Sequence, residues 1–276
     1  MIREFVRALV PGSIRRWVQR RRLTSAMDAF PRRVVEHRYG DVTLKVELAD
    51  PLAAGWYDHD WDPLHELEVL GQRVVPGARV FDLGAHQGVV GLMLAHRVGP
   101  AGEVVLVEPN PHNFQMCGRN AGLNNMSWVK CVQAAVGNQE GTLSFNCGLN
   151  GQAGELSDYG GLIEVPCLTI DRLTDRFGRP DVVFIDVEGF ECRALAGATR
   201  TFAMNPSWFV EVHIGAGLEA AGGSVDEVLR HFPAERFERY VHTERDGPLG
   251  DRPIALESVD PSILAKERFF LTALAR

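Results

Sequence analysis

At 276 residues the chain is long enough for one sizeable α/β domain with its own core, since single domains commonly reach about 250 residues before splitting. Hydrophobic residues make up 45% and charged residues 24%, ordinary globular proportions, and no apolar run approaches the roughly 18 residues that a membrane span requires. Five scattered cysteines, Cys117, Cys131, Cys147, Cys167 and Cys192, contain no C-x-x-C pair, so they point to neither a disulfide framework nor a zinc site and fit a reducing, cytoplasmic compartment.

The net charge of −7 is unevenly spread. Residues 1–38 carry ten arginines against Glu4, Asp28 and Glu36, a balance of +7, which leaves −14 for the remainder. Within that stretch Ile2, Phe5, Val6 and Leu9 share a helical face, Pro11 interrupts it, and Ile14, Trp17 and Val18 resume it before Arg20, Arg21 and Arg22. Two short basic amphipathic helices are expected, set apart from a domain over 39–276. They would lie on an anionic membrane, peripherally at its inner face, or pack on the domain by their apolar stripe. Arg3, Glu4 and Arg7 break up any secretory h-region.

From Val42 onward, strand and helix patterns alternate. The stretch Trp56 to Trp61, with His59 and His65 nearby, reads as a helix anchor or as part of an acceptor pocket. A helix is expected over Asp62 to Val75, a strand at Arg79 to Leu83, a helix at Val89 to Val98, a strand at Glu103 to Val107, and a helix at Pro111 to Leu123. Strands follow at Trp128 to Ala134, Gly141 to Asn146 and Leu162 to Ile170. The last two flank a Gly-rich loop, Gly148 to Gly161, that is either a cover for a substrate or a plain connection. Next come a strand at Asp181 to Val187, a helix at Glu191 to Thr201, and strands at Trp208 to His213, Phe237 to Thr243 and Arg268 to Leu274. Gly and Pro precede several strands, as at Pro76-Gly77 and Gly178 to Pro180. This alternation predicts a Rossmann-like, doubly wound, mostly parallel seven-stranded sheet with helices on both faces and a late antiparallel strand.

The most informative stretch is Arg79-Val-Phe-Asp-Leu-Gly-Ala-His-Gln-Gly88, a strand running through a glycine turn into a helix. Gly84 allows a sharp turn close to a ligand, and Gly88 allows close packing at the helix start. The next strand ends in Glu108, placed to accept both hydroxyls of a ribose. The spacing Asp82-x-Gly84-x-x-x-Gly88 departs from the G-x-G-x-x-G turn that cradles a pyrophosphate. Asp82 would repel that group but suits the cationic amino-acid end of S-adenosylmethionine, so a nicotinamide dehydrogenase ranks a distant second.

These residues, with Glu108-Pro-Asn-Pro-His-Asn-Phe114, Asn120, Leu123-Asn124, Ile185-Asp-Val-Glu-Gly-Phe-Glu191 and Glu211-Val-His213, resemble the FkbM-type methyltransferases of the class I S-adenosylmethionine-dependent fold. The resemblance spans roughly Val80 to His213, and residues 1–38 lie outside it. The family usually carries Asn where this chain has His86. The resemblance implies that Asp82, Gly84 and Gly88, with Ala85 and His86 between the glycines, form the methionine side of a cofactor site, and that Glu108 holds the ribose. It also implies that Asn110 positions the adenosine, and that Gln133 and Ala134 neighbour the adenine.

Ligands in open α/β sheets bind beyond the carboxyl ends of the strands. Asp186, which would border cofactor and acceptor alike, is followed by Glu188 in the next turn, and Glu211 and His213 share one strand face by period-two alternation. These four predict a catalytic cluster in which His213 is the general base and the carboxylates orient a hydroxyl acceptor. A divalent metal on the same groups ranks below direct base catalysis, because no compact ligand spacing demands one. The family's association with O-methylation of sugars, glycolipids and natural products implies a small-molecule or glycolipid hydroxyl as acceptor. The alternatives are a catalytically silent scaffold, against which Asp82, Glu108 and Asp186 speak, and nucleic-acid methylation, which the −14 charge opposes.

Overall fold

The computed structural model describes residues 29–146, 152–153 and 162–276. The two expected N-terminal helices, and all but two residues of the loop 148–161, lie outside them. The described chain opens with a hairpin that the sequence pattern did not reveal: β1 (Arg33–Tyr39) pairs antiparallel with β2 (Val42–Leu48) around Gly40. Val42, Leu44 and Val46 are buried while Thr43 and Lys45 face out, the alternation of a half-covered strand. The expected boundary after residue 38 therefore falls inside β1.

Asp50 caps α1 (Pro51–Tyr57) by accepting the Ala53 N–H at 2.8 Å, with Pro51 in the first turn. A shorter helix than expected, α2 (Glu66–Leu70), precedes β3 (Arg79–Leu83). Then follow α3 (Val89–Val98), β4 (Glu103–Val107), α4 (Pro111–Leu123) and β5 (Val129–Val132). The strand expected over 128–134 breaks after Val132, and β6 (Ala135–Val136) joins a separate small sheet with β7 (Gly141–Asn146), β8 (Gln152–Ala153) and β9 (Leu162–Leu168). Ile170, expected at the end of a strand, instead opens α5 (Ile170–Phe177), capped by Thr169.

The second half contains β10 (Val182–Ile185), α6 (Glu191–Ala196), α7 (Thr199–Ala203) and β11 (Ser207–Val212). It ends with α8 (Val225–Arg230), β12 (Phe237–His242), β13 (Ile254–Ala255), α9 (Pro261–Leu264) and β14 (Phe269–Ala275). The single helix expected over 191–201 divides at Gly197-Ala198.

Among the described residues the main sheet has eight strands in the order β13-β12-β14-β11-β10-β3-β4-β5. The run from β11 to β5 is parallel, and β14 inserts antiparallel between β11 and β12. The eighth strand, beyond the seven expected, is the two-residue edge β13. Alternate residues supply two cores: Phe81, Leu83, Val105 and Ile185 face one side, and Val80, Val104, Leu106 and Phe184 the other. Strands buried on both faces read as continuous apolar runs, which is why β3, β4 and β10 stand out in the sequence. Strand order reverses between β3 and β10, so the ends at Leu83 and Ile185 open a crevice at the topological switch point. Among the described residues, no helix is long and apolar enough to cross a membrane.

Candidate active site

A cleft enclosing about 670 Å³, open solvent at its mouth included, lies over that crevice. Gly84 forms its floor with φ +89°, and a Cβ there would stand 1.7 Å from the Asp186 carbonyl oxygen, so only glycine allows β3 and β10 to end side by side. Backbone hydrogen bonds hold both turns: Gly84 N–H donates to Val107 O and Asp186 N–H to Leu83 O, each at 2.9 Å.

Glu108 lines one end of the cleft. Its Oε2 accepts the His86 N–H at 2.9 Å and its Oε1 the Asn110 N–H at 2.8 Å, and the Asn113 side chain adds a third hydrogen bond, which together fix the carboxyl group. Burial raises its pKa to about 8 against these hydrogen bonds. Ala134, Val136, Phe145 and Phe190 supply apolar wall nearby. An apolar wall beside a preoriented carboxyl group has the chemistry that an adenine and its ribose require, so these are the residues that could hold an adenosine.

The other expected cofactor residues divide. Gly84, His86, Ala134 and Asp186 line the cleft together with Glu108. Gly88 sits one turn on at the start of α3 with φ +85°, packed against β4 through Leu106 and against α4 at Cys117. Asn110 caps α4 by accepting the His112 N–H at 3.0 Å. Ala85 is buried beneath the turn, and Asp82 turns away toward α3, where a Cβ on Gly91 would meet its Oδ2 at 2.5 Å. That oxygen has no hydrogen-bond partner, and burial lifts the Asp82 pKa to about 7. Asp82 thus lies below the glycine turn and not on the cleft wall. Gln133 likewise does not line the cleft.

Val136 and Phe145 line the cleft without having been singled out in the sequence. From the Trp56 to Trp61 stretch, Trp56, on α1, lines the cleft, and Tyr57 beside it hydrogen-bonds His86 Nδ1 at 2.7 Å. The helix is anchored through Asp50, whose Oδ2 meets Gln87 Nε2 at 2.6 Å and His112 Nε2 at 2.9 Å. Those hydrogen bonds outweigh burial and hold the Asp50 pKa down at about 2. The 56–61 segment therefore contributes to the cleft as well as to packing, whereas His59 is exposed and His65 pairs with Glu68 at 2.9 Å.

At the opposite end the structure brings Asp186, Glu188, Glu211 and His213 together. His213, at 2% exposure, places Nε2 3.3 Å from Glu211 Oε1 and 3.6 Å from both Asp186 Oδ1 and Glu188 Oε2. Its Nδ1 lies 2.8 Å from Glu191 Oε1, which also accepts the Gly189 N–H at 2.8 Å. Glu191, fully buried, is a site residue to which the sequence reading gave no catalytic or binding role. It folds back because Glu188 and Gly189 adopt φ +50° and +100°, and a Cβ on Gly189 would strike Gly217. Among the described non-glycine residues with positive φ, two are asparagines and the other two are His86 and Glu188, both in the cleft. Strained backbone of this kind concentrates at functional sites.

Burial disfavours a charged His213, but hydrogen bonding to Glu191 and Glu211 overrides it and pushes the pKa up to about 11. Burial, then the neighbouring Glu211 charge, raises Asp186 well above the usual carboxylate range, and burial raises Glu188. Enclosed by four carboxylates, the imidazole of an ion-free site favours its protonated form, which weakens the expected role of His213 as a general base.

The Methyltransferase FkbM domain profile matches residues 82–239. No curated protein matches the chain. Among solved structures, methyltransferase FkbM from Methylobacillus flagellatus KT is similar at 15% identity and TM-score 0.45, over 71% of this chain and 43% of that one. A SAM-dependent O-methyltransferase from Thermotoga maritima is similar at 12% identity and TM-score 0.45, over 92% of this chain and 81% of that one. A 16S rRNA methyltransferase of T. thermophilus, solved with AdoMet and guanosine, has 18% identity and TM-score 0.47, over 89% of this chain and 51% of that one. The profile match starts at Asp82 and takes in the glycine turn, Glu108, His213 and the four carboxylates around it, over more than half of the chain. The chain belongs to the FkbM methyltransferase domain family.

Proposed function

We propose that this chain transfers a methyl group from S-adenosylmethionine to a hydroxyl oxygen of a sugar, glycolipid or natural product. The observation that supports this reading is one continuous cleft with a preoriented Glu108 at one end and Asp186 and Glu188 at the other. S-adenosylmethionine, when bound, supplies an electrophilic methyl carbon on a sulfonium. The chain's part is alignment and proton handling, because the attacking hydroxyl must lie in line with that carbon and lose its proton.

Glu108 accepts from the ribose hydroxyls, and Gly84 and His86 form the cofactor's floor. Asp186 and Glu188 face the cleft, so a carboxylate of this pair, and not the enclosed His213, takes the acceptor's proton. Glu211 and His213 hold those carboxylates in place. Carboxylates at the acceptor end suit a polyhydroxylated molecule, which presents several donors at once. The basic segment 1–38 would bring a lipid-linked acceptor to the domain from an anionic membrane. Incubation with glycan and glycolipid fractions and methyl-labelled S-adenosylmethionine should give a labelled methyl ether. Asp186→Asn should cut turnover about 10²-fold or more, the ordinary scale of general-base catalysis. Label found only on nitrogen, or in nucleic acid, would refute the acceptor assignment.

A further inference from the structure

We infer that Asp186, Glu211 and His213 form a binding site for a divalent metal ion of the Mn²⁺ or Mg²⁺ class, resting on the methyl-transfer reading of the same cleft. One oxygen from each carboxylate and one imidazole nitrogen lie within 4.8 Å of one another. Two of the three separations come near what an ion would impose. Metal bonds of about 2.1 Å place neighbouring ligand atoms roughly 3.0 Å apart in an octahedron and 3.4 Å in a tetrahedron. His213 Nε2 stands 3.3 Å from Glu211 Oε1 and 3.6 Å from Asp186 Oδ1, whereas a charge-assisted N–H···O⁻ bond closes to about 2.7–2.9 Å. The three atoms face one another across a gap wider than such a bond, and an ion bound there takes the place of the Nε2 proton.

Two further observations point to an ion in that gap. Asp186 Oδ1 has no accessible surface and no hydrogen-bond partner, which is costly for a carboxylate oxygen unless something occupies its lone pairs. Glu191, fully buried, meets His213 Nδ1 at 2.8 Å, the outer carboxylate that commonly orients a metal-binding histidine and directs its other nitrogen at the ion. The charges agree. Asp186, Glu188, Glu191 and Glu211 surround one imidazole, and the Arg268 guanidinium, 2.9 Å from Glu211 Oε1, is shared with Glu244. Oxygen-rich donors with one imidazole suit a hard or borderline divalent ion rather than a thiolate-seeking one. Because Asp186 lines the cleft, an acceptor hydroxyl can complete the coordination shell, where a cation makes its proton easier to remove.

The test is titration of the full chain with MnCl₂, followed by calorimetry and by NMR of ¹⁵N-labelled histidine rings. One Mn²⁺ should bind per chain and selectively broaden the ring signals of His213. Glu211→Gln and Glu191→Gln should each weaken binding at least tenfold, the usual scale for a lost ligand or for its outer partner. Absence of Mn²⁺ binding to the wild-type chain, or broadening centred on another histidine, would overturn the site, and the NMR arm decides this even if a variant does not fold. S-adenosylmethionine titration of the same sample separates the two readings. Cofactor binding without Mn²⁺ binding removes the metal site alone, and Mn²⁺ at His213 without cofactor binding removes the methyl-transfer reading.

Discussion

Replacing Gly84 by alanine places a methyl group where the structure has none to spare. The new Cβ would stand 1.7 Å from the Asp186 carbonyl oxygen and 2.7 Å from its carbon, both backbone atoms that no rotamer change can clear. Two costs add. A left-handed φ of +89° penalises any Cβ by about 1–2 kcal/mol. Forcing the ends of β3 and β10 apart adds about 1–3 kcal/mol, the range for overpacking. The expected loss is therefore about 2–5 kcal/mol, and at about 2–4 °C per kcal/mol for a chain of this size the melting temperature should fall by roughly 10 °C. Gly77 is the internal control. It shares the same φ of +89° but has nothing within 4 Å of a Cβ, so Gly77→Ala should carry only the backbone term. Urea unfolding of both variants isolates the overlap, and calorimetry with S-adenosylmethionine reads its effect on the site: Gly84→Ala should weaken binding at least tenfold while Gly77→Ala leaves it intact. Equal stabilities for the two variants, or unchanged cofactor binding in Gly84→Ala, would refute the argument that this one close approach joins the glycine turn to Asp186.

Micromolar binding of S-adenosylmethionine, roughly 8 kcal/mol, should fall at least tenfold in Glu108→Ala, measured by calorimetry, because the ribose loses its fixed acceptor. Asp50, buried and with its pKa held at about 2 against 3.8 for the free side chain, should contribute about 2 kcal/mol of stability. Because the folded pKa is the lower one, that contribution is present above about pH 4 and lost as the pH falls toward 2; urea unfolding across this window should show it in the wild type and not in Asp50→Asn. For the basic N-terminal segment, the full chain should float with anionic liposomes in a salt-sensitive way, and a chain truncated ahead of β1, lacking residues 1–28, should not while keeping its cofactor affinity. Flotation of both, or of neither, would dismiss the membrane contact.

What the sequence displayed was what repeats locally. The buried parallel strands β3, β4 and β10 are unbroken apolar runs, and α3 and α4 begin and end where their glycine, asparagine and proline signals place them. The hairpin β1–β2 escaped notice because its outer strand is largely exposed and sits against a stretch dominated by arginines. The shortening of the strand expected over 128–134 depends on Ala135 and Val136 pairing with Cys167 and Leu168, more than thirty residues away, and no local pattern encodes such a partner. Asp82 shows the same limit within the site. Its position after an apolar run marks the glycine turn, but its direction is set by Gly91, whose missing side chain makes the room its carboxylate occupies.

The residues around His213 separate geometry from charge. Period-two alternation along β11 is enough to put Glu211 and His213 on one face, and adjacent parallel strands are enough to bring Asp186 beside them. The ionic state follows from contacts that alternation does not describe. Glu191 reaches His213 Nδ1 only because Glu188 and Gly189 turn through positive φ, and Arg268 reaches Glu211 only because β14 inserts next to β11. An imidazole among carboxylates reads from sequence as a base with its helpers. Once four carboxylates and the Arg268 guanidinium are counted, the same ring is drawn toward its charged form when no ion is bound, and the proposed reaction gives the acceptor's proton to a carboxylate that faces the cleft.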